Sequence, residues 1–305
     1  MLLALLFQIG LGSCAPRETP VSVANAPSIT RVVAAMGTEC TVQVVAPDRA
    51  TALSASEAAL DAIARAEARL SNWDPESELE RWIAGASTAS PALRSDLDAF
   101  TPFVAATEGA FDPRALDGDP RTVDSGGWGK GRALDLAAAA AIEQGAGGVA
   151  FSFGGQVLIA GEGLVRAIEL ADPRDRSRAV VRVEPSGPAA RSTDARSTGA
   201  STSGQSERPG HLRDPRTPAV ARAPFDGTVT VLCSTALAAD ALSTGYFVLG
   251  PDRALELGES EPGVEVLVIE LVGDRLRVRG TSGLAGRCAA LVTDLDLADG
   301  LAKDR

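Results

Sequence analysis

"DSGGWGKGRALDLAAAAAIEQGAGGVAFSFGGQVLIAG", residues 124–161, joins a glycine-rich turn to an alanine-rich segment that starts at Lys130 and is closed by Gly145. That is the pattern of a helix with a glycine just past its end. The apolar run after it predicts a strand over 149–159. On the N-terminal side, "ITRVVAAMGTECTVQVVAP" is valine-rich and partly alternating, which predicts one or two strands broken at Met36-Gly37-Thr38. Residues 49–70 set Leu53, Leu60, Ile63 and Leu70 at near-helical spacing, an amphipathic helix that stops before the Asp74-Pro75 turn. A further helix is expected over 92–108. On the C-terminal side strands are expected at 165–170 and 179–184, and the Ser/Thr/Arg/Gly/Pro-rich stretch 184–214 reads as a long loop. "TVTVLC" is a strand, "STALAADALSTGYFVL" a helix capped by Ser234 or Thr235, and two or three strands finish the chain between 264 and 292. Strands and helices mix without a regular βαβ repeat, so the fold class is α+β, with mixed or antiparallel sheets and packed helices in a single compact domain.

The 305 residues, 45% apolar, supply a sizeable core. A formal net charge of −11, with no dense Lys/Arg cluster, excludes a nucleic-acid partner, because phosphate neutralisation needs a basic face. The apolar run at residues 2–11 is too short to span a bilayer, and "LGSC" after it resembles a lipobox. An exported lipoprotein follows, anchored to the membrane through lipid-modified Cys14. Its parts are a signal segment (1–14), a tether (15–30), the functional domain (31–295) and a C-terminal tail (296–305). The basic n-region of such a signal is missing, and the alternative is the apolar tail of a cytosolic chain. Cys40, Cys233 and Cys288 are an odd, widely spaced set without a CxxC pair, so buried free thiols are expected rather than a zinc site or disulfides.

Three stretches can carry chemistry. In "DSGGWGKGRALD" glycines precede a lysine and a helix start, where free N–H groups and positive potential suit a phosphate. Taken alone it is equally a turn capping a helix. In "CSTALAADALSTGYF" Asp240 and Thr244 lie four apart on one helical face, two hard oxygen ligands able to hold Mg²⁺ with water and a substrate phosphate. In "STSGQSERPGHLRDPRTP" the chain's single histidine, His211, stands before Asp214, and an imidazole there can act as a general base. A lone loop histidine is otherwise simply solvated.

Seven stretches taken in order are more specific. "MGT" at 36–38, "SNWDPESEL" at 71–79, "GAFDP" at 109–113, "DSGGWGKGRALD", "FSFGGQVLIAG" at 151–161, "STSG" with "HLRDPRT", and "ALAADALSTGYFVLG" together resemble the ApbE family of FAD:protein FMN transferases. The resemblance runs from about Met36 to about Gly250. It implies an ApbE-like fold and a Mg²⁺-dependent reaction in which FAD is the substrate. A threonine hydroxyl of an acceptor flavoprotein attacks the FMN phosphorus, and AMP leaves. It puts Asp240, Thr244 and a backbone carbonyl near Gly129 on the metal. Met36, Gly37, Thr38 and Trp73 fall against the flavin, and Asp112, Lys130, Gly154, Gly155, Thr202, Ser203 and Gly204 around the nucleotide. His211 falls on the catalytic histidine, with Asp214 on the aspartate after it. The chain departs from the family pattern in four places. Only "RALDGDPRTV" separates Pro113 from Asp124, Gln156 stands where the family has an aspartate, Trp128-Gly129 replace isoleucine-alanine, and Pro218 replaces a glycine. Trp128 can reshape the pocket or stack on a ring of the ligand. FAD hydrolysis to FMN and AMP, and a non-catalytic FAD-binding lipoprotein, are the alternatives.

Overall fold

The computed structural model describes residues 20–22, 26–114, 122–184, 197–205, 212–217 and 225–302. After β1 (Pro20–Ser22), a hairpin of β2 (Ser28–Ala35) and β3 (Thr38–Val45) leads into α1 (Arg49–Leu70). Short helices α2 (Glu78–Ile83), α3 (Pro91–Ala99) and α4 (Thr101–Ala106) precede the long α5 (Gly129–Glu143). Strands β4 (Gly148–Phe153), β5 (Gln156–Gly161), β6 (Leu164–Arg166), β7 (Ile168–Ala171), β8 (Ala179–Val183), β9 (Ser197–Gly204) and β10 (Gly227–Cys233) follow. The chain ends through α6 (Ala236–Leu249), α7 (Pro251–Ser260), β11 (Glu265–Val272), β12 (Arg275–Gly280), β13 (Cys288–Ala290) and β14 (Leu295–Leu297).

Among the described residues a nine-stranded sheet runs β14-β12-β11-β10-β9-β5-β4-β3-β2, antiparallel throughout except for the β12–β14 pair. Its side chains alternate as the pleat dictates. Val42, Val44, Phe151, Phe153 and Leu158 point to one face, where α1 and α5 cover them with Ala52, Ala55, Ala59, Ile63, Leu134 and Ala137. Ala150, Val157, Ile159, Ala200, Leu267 and Ile269 point to the other, onto Ile168, Val181 and Val183 of the small β13-β8-β7 sheet. Helix α1 begins where Asp48 accepts a hydrogen bond from the Thr51 N–H at 2.8 Å, and its buried residues recur at helical spacing. Three buried free thiols, Cys40, Cys233 and Cys288, bear out the cysteine expectation. No described helix is long and apolar enough to cross a membrane.

The α+β class holds, and several details differ from the sequence expectations. The strand expected over 149–159 is a hairpin. Gly154 (φ 56°) and Gly155 (φ 91°) both take the left-handed backbone that glycine adopts without strain, and β4 turns there into β5. The helix expected over 92–108 breaks at Phe100 because Pro102 cannot continue it. The stretch 184–214 contains β9, an inner strand paired on both sides, with β5 and with β10. Its sequence, STGASTSG, carries no apolar alternation, since its inner face meets a helix through small and polar atoms. The tether expected over 15–30 already includes β1, paired with β6, and the first residues of β2. The expected tail begins inside β14, which pairs with β12, and Leu301 is buried beyond it. Cys14, the residue expected to carry the lipid, lies outside the described residues.

Candidate functional site

Two neighbouring turns form the rim of the site. Between β2 and β3 the turn is Met36-Gly37, with Met36 itself at φ 43°, a strained position for a side-chain-bearing residue. Its N–H donates to Glu67 Oε1 of α1 at 2.8 Å, which holds the turn in place. The Gly154-Gly155 turn lies beside it, so close that a Cβ on Gly154 would stand 2.8 Å from Thr38 Cγ2. Behind the turns, α5 begins at Gly129 after the glycine-rich loop, and α6 crosses its first turn. A Cβ on Gly131 would lie 2.3 Å from the Ala236 carbonyl oxygen, so only glycine permits this approach. Asp135 of α5 completes the join by accepting the N–H groups of Ala236 (2.8 Å) and Leu237 (3.0 Å), the unpaired donors of α6. Burial raises the Asp135 pKa against those hydrogen bonds.

These elements enclose a cavity of about 760 Å³ lined by loops 70–73, 110–113 and 124–127, the two turns, and the end of β9. That volume suits a large cofactor-sized molecule. Met36, Gly37, Thr38, Trp73, Asp112, Gly129, Lys130, Gly154, Thr202, Ser203, Gly204, Asp240 and Thr244 all line it. Gly155 shapes the turn next to it and accepts the Thr202 N–H at 3.2 Å. Trp73 is 86% exposed, an apolar plate at the mouth.

Asp240 is the most buried charge of the cavity lining, only 2% exposed. Its Oδ2 accepts from the Gly131 N–H at 3.0 Å, and its Oδ1 from Gln156 Nε2 at 3.0 Å. Burial pushes its pKa up, and the Lys130 ammonium is the strongest opposing influence, ahead of the hydrogen bonds. The Ser201 hydroxyl is a third partner of the carboxylate, whose acceptor sites still leave one lone pair free. Thr244 Oγ1 donates its proton to the Asp240 carbonyl at 3.0 Å, which leaves its lone pairs for a cation. The 126–128 turn lies over it, where a Cβ on Gly127 would come within 3.1 Å of Thr244 Oγ1.

Among the described residues, charge in the lining is unbalanced, with Glu67, Asp112, Asp124 and Asp240 facing Lys130 and Arg213. A diphosphate entering alone would meet net repulsion, and a divalent cation removes it. The donors at hand are all oxygens, a carboxylate, a hydroxyl and the backbone at Gly129, the set that Mg²⁺ accepts. No cluster of three acidic, His or Cys side chains exists among the described residues, so waters and phosphate oxygens would complete the shell.

Some expectations change. Trp128 is fully buried, tilted on Phe100 at 4.8 Å, and donates Nε1–H to the Asp124 carbonyl at 2.8 Å. It fills the core behind the loop and has no exposed ring face to offer a ligand. Asp214 does not line the cavity. Its carboxylate accepts from Arg216 Nε and Nη2 at 2.8 Å and from the Arg216 N–H at 2.9 Å, and that guanidinium holds its pKa below the usual carboxylate range. So engaged, the Asp214 carboxylate is held by its own loop rather than offered to the cavity. His211 and Pro218 lie outside the described residues, as do residues 115–121 of the shortened segment.

Other residues gain roles. Asn72, inside the quoted SNWDP, clasps the glycine loop: Oδ1 accepts from the Ser125 N–H (2.7 Å) and hydroxyl (2.8 Å), and Nδ2 donates to the Val123 carbonyl (2.9 Å). Buried Asp96 of α3 joins Arg69 of α1 to Arg132 of α5, the latter at 2.8 Å. Glu67 and Asp96 carry no sequence signal, because each acts across elements far apart in the chain.

Fold and site together define an α+β protein whose ligand cavity sits where sheet turns meet two helix starts. The sequence profile of the ApbE family matches residues 36–117 and 114–268. This chain belongs to the ApbE family. It is 32% identical over 169 residues to the FAD:protein FMN transferases of Escherichia coli K12 and of E. coli O157:H7. Those matches cover 51% of this chain and 44% of each relative, so the chain spans under half the length of the curated relatives it matches. Among solved structures, the flavin transferase ApbE from Vibrio cholerae superposes with a TM-score of 0.67 at 20% identity, over 85% of this chain and 98% of that one. The apo flavinyl transferase ApbE of Pseudomonas stutzeri gives 0.66 at 20%, over 85% and 96%. They share the fold.

Proposed function

We propose that the chain transfers the FMN half of FAD to a threonine hydroxyl of an acceptor flavoprotein, releasing AMP. The observation that carries it is the cavity itself. The motifs named for the resemblance converge on one space, which has a lysine and a helix start at one end and buried Asp240 with Thr244 at its base. The FAD:protein FMN transferase of E. coli supports the same activity by its name. Mg²⁺ at Asp240, Thr244 and Gly129 would neutralise the diphosphate and polarise the phosphorus. Lys130 would hold a phosphate oxygen, and the Met36 and Gly154 turns with Trp73 would orient the ring system. The threonine oxygen forms a bond to the FMN phosphorus, the bond from that phosphorus to the bridging oxygen breaks, and AMP departs with that oxygen. His211 would receive the hydroxyl proton. The sequence "LGSC" supports an exported, membrane-anchored form held by lipidated Cys14.

The test incubates the purified chain with FAD and Mg²⁺, with and without an acceptor bearing a flavinylation threonine, and follows AMP and covalent flavin fluorescence. AMP formed only with acceptor is expected. AMP formed regardless of acceptor makes the chain a hydrolase, and bound FAD with no AMP makes it a binding protein. His211→Ala should lower transfer by about a hundredfold with FAD affinity kept. Undiminished transfer removes the histidine from the mechanism.

A further inference from the structure

Gln156 opens β5, is 5% exposed, and reaches the cavity beside Asp240. Its amide orientation is fixed by its neighbour, since only the NH₂ side can face a carboxylate. Nε2 therefore donates to Asp240 Oδ1 at 3.0 Å and lies 3.4 Å from Ser201 Oγ. The consequence falls on the other end of the amide. Oε1 is buried without a hydrogen-bond partner among the described residues. A buried acceptor left unpaired costs about 1–3 kcal/mol, so a native fold retains one where something supplies the donor. The backbone and hydroxyl donors around Asp240 are already engaged, the Ser201 hydroxyl on the Asp240 carboxylate itself. The Gly131 N–H is on Oδ2, and the Ser243 hydroxyl contacts Ser201 Oγ and the Asp240 carbonyl, both at 3.1 Å. A hydrated cation at Asp240 and Thr244 would supply that donor through its bound waters.

We propose that Gln156 is an outer ligand of the cation site, its Oε1 accepting a hydrogen bond from a water bound to the divalent ion while its Nε2 positions Asp240. The inference rests on the cation part of the function proposed above. It assigns to the neutral residue standing in the family's aspartate position a task that an oxygen acceptor, charged or not, can perform. Outer partners of this kind commonly change metal affinity by about tenfold to a hundredfold.

Binding of Mn²⁺ to the purified chain, by electron paramagnetic resonance of the free ion, gives a readout independent of turnover. Thermal unfolding without metal is measured beside it. Gln156→Met keeps the volume and removes the acceptor. It should weaken Mn²⁺ about tenfold or more, while the metal-free Tm sets the removal of an unpaired buried oxygen against the loss of the Nε2 donor to Asp240. Gln156→Glu restores an acceptor and loses the donor to Asp240, and its Mn²⁺ affinity should recover above that of the Met variant. Met equal to the unaltered chain in affinity, or Glu as weak as Met, overturns the proposal and leaves the cation site standing. Absence of Mn²⁺ binding in the unaltered chain overturns the cation reading itself, and this inference with it.

Discussion

Two helix-on-sheet packings share this molecule and are built from opposite materials. Where α1 and α5 lie on β3, β4 and β5, the contact is alanine, valine, leucine, isoleucine and phenylalanine, and buried Ser56 turns its hydroxyl back onto the Leu53 carbonyl of its own helix. Where α6 lies on β9, the contact is Ser203 on Ser243 at 2.9 Å, Ser243 on Ser201 at 3.1 Å, and a buried Asp240. The approach is close in both, through alanines in the first and through glycines in the second. A Cβ on Gly199 would stand 2.4 Å from the Thr235 carbonyl, much as one on Gly131 would strike Ala236. The first packing contributes stability through apolar area. The second holds oxygens where a ligand can use them, and the first makes that arrangement tolerable.

Substitutions separate the two. The largest effect is expected from Asp240→Asn, which should reduce Mg²⁺-dependent FMN transfer roughly a thousandfold. The metal-free Tm should not fall, because a buried amide costs less than a buried carboxylate. A lower Tm together with retained transfer would erase the distinction between the packings. Ile63→Ala, in the apolar layer, should cost about 3 kcal/mol in urea unfolding, with the KM for FAD unchanged below the transition; a shifted KM would mean that the layer reaches into the site. Gly131→Ala forces α5 and α6 apart and should cost about 2 kcal/mol while also weakening FAD binding, since Asp240 accepts from that same residue. A neutral outcome would show that the helix start can give way. The smallest effect concerns two thiols, Cys40 of β3 in the first packing and Cys233 at the end of β10, just before α6. Burial pushes Cys40 and Cys233 up to about 12 from an ordinary 9.0. Folded pKa values above the unfolded ones favour the native state below about pH 9, and that contribution is lost as pH rises toward 12. Near pH 8 neither thiol should react with iodoacetamide in the native chain, and faster labelling of Cys233 would show local opening at the start of α6.

The same contrast governs what is legible in the chain. Helices α1 and α5 could be read from alanine and leucine spacing, and α6 from its capping Thr235, whose Oγ1 accepts the Ala238 N–H at 3.2 Å. β9 could not be read, because a strand whose inner face meets a helix through hydroxyls and glycines has the composition of a loop. The 148–161 segment is apolar on both sides of its turn, and only the φ angles of Gly154 and Gly155 show that it doubles back. For the site, the order of motifs located the cavity-lining residues from Met36 to Thr244. It did not show that Trp128 faces the core, that Arg216 occupies Asp214, or that Gln156 touches Asp240. Those depend on which distant residue arrives next to which, and no local spacing encodes that.

The sheet order also sets when the site can exist during synthesis. The hairpins β2–β3 and β4–β5 pair with near neighbours, but β9 lies between β5 and β10, and Asp135 caps a helix made a hundred residues later. As the chain emerges from its N-terminus, the lysine, both rim turns and the glycine loop come first, with the base of the cavity still missing. Residues 227–249 supply that base, so the nascent protein passes most of its translation unable to form the Asp240–Thr244 end of the pocket. Competence arrives as a late, all-at-once event, and a chain truncated before α6 would be an inert partial sheet rather than a weak enzyme.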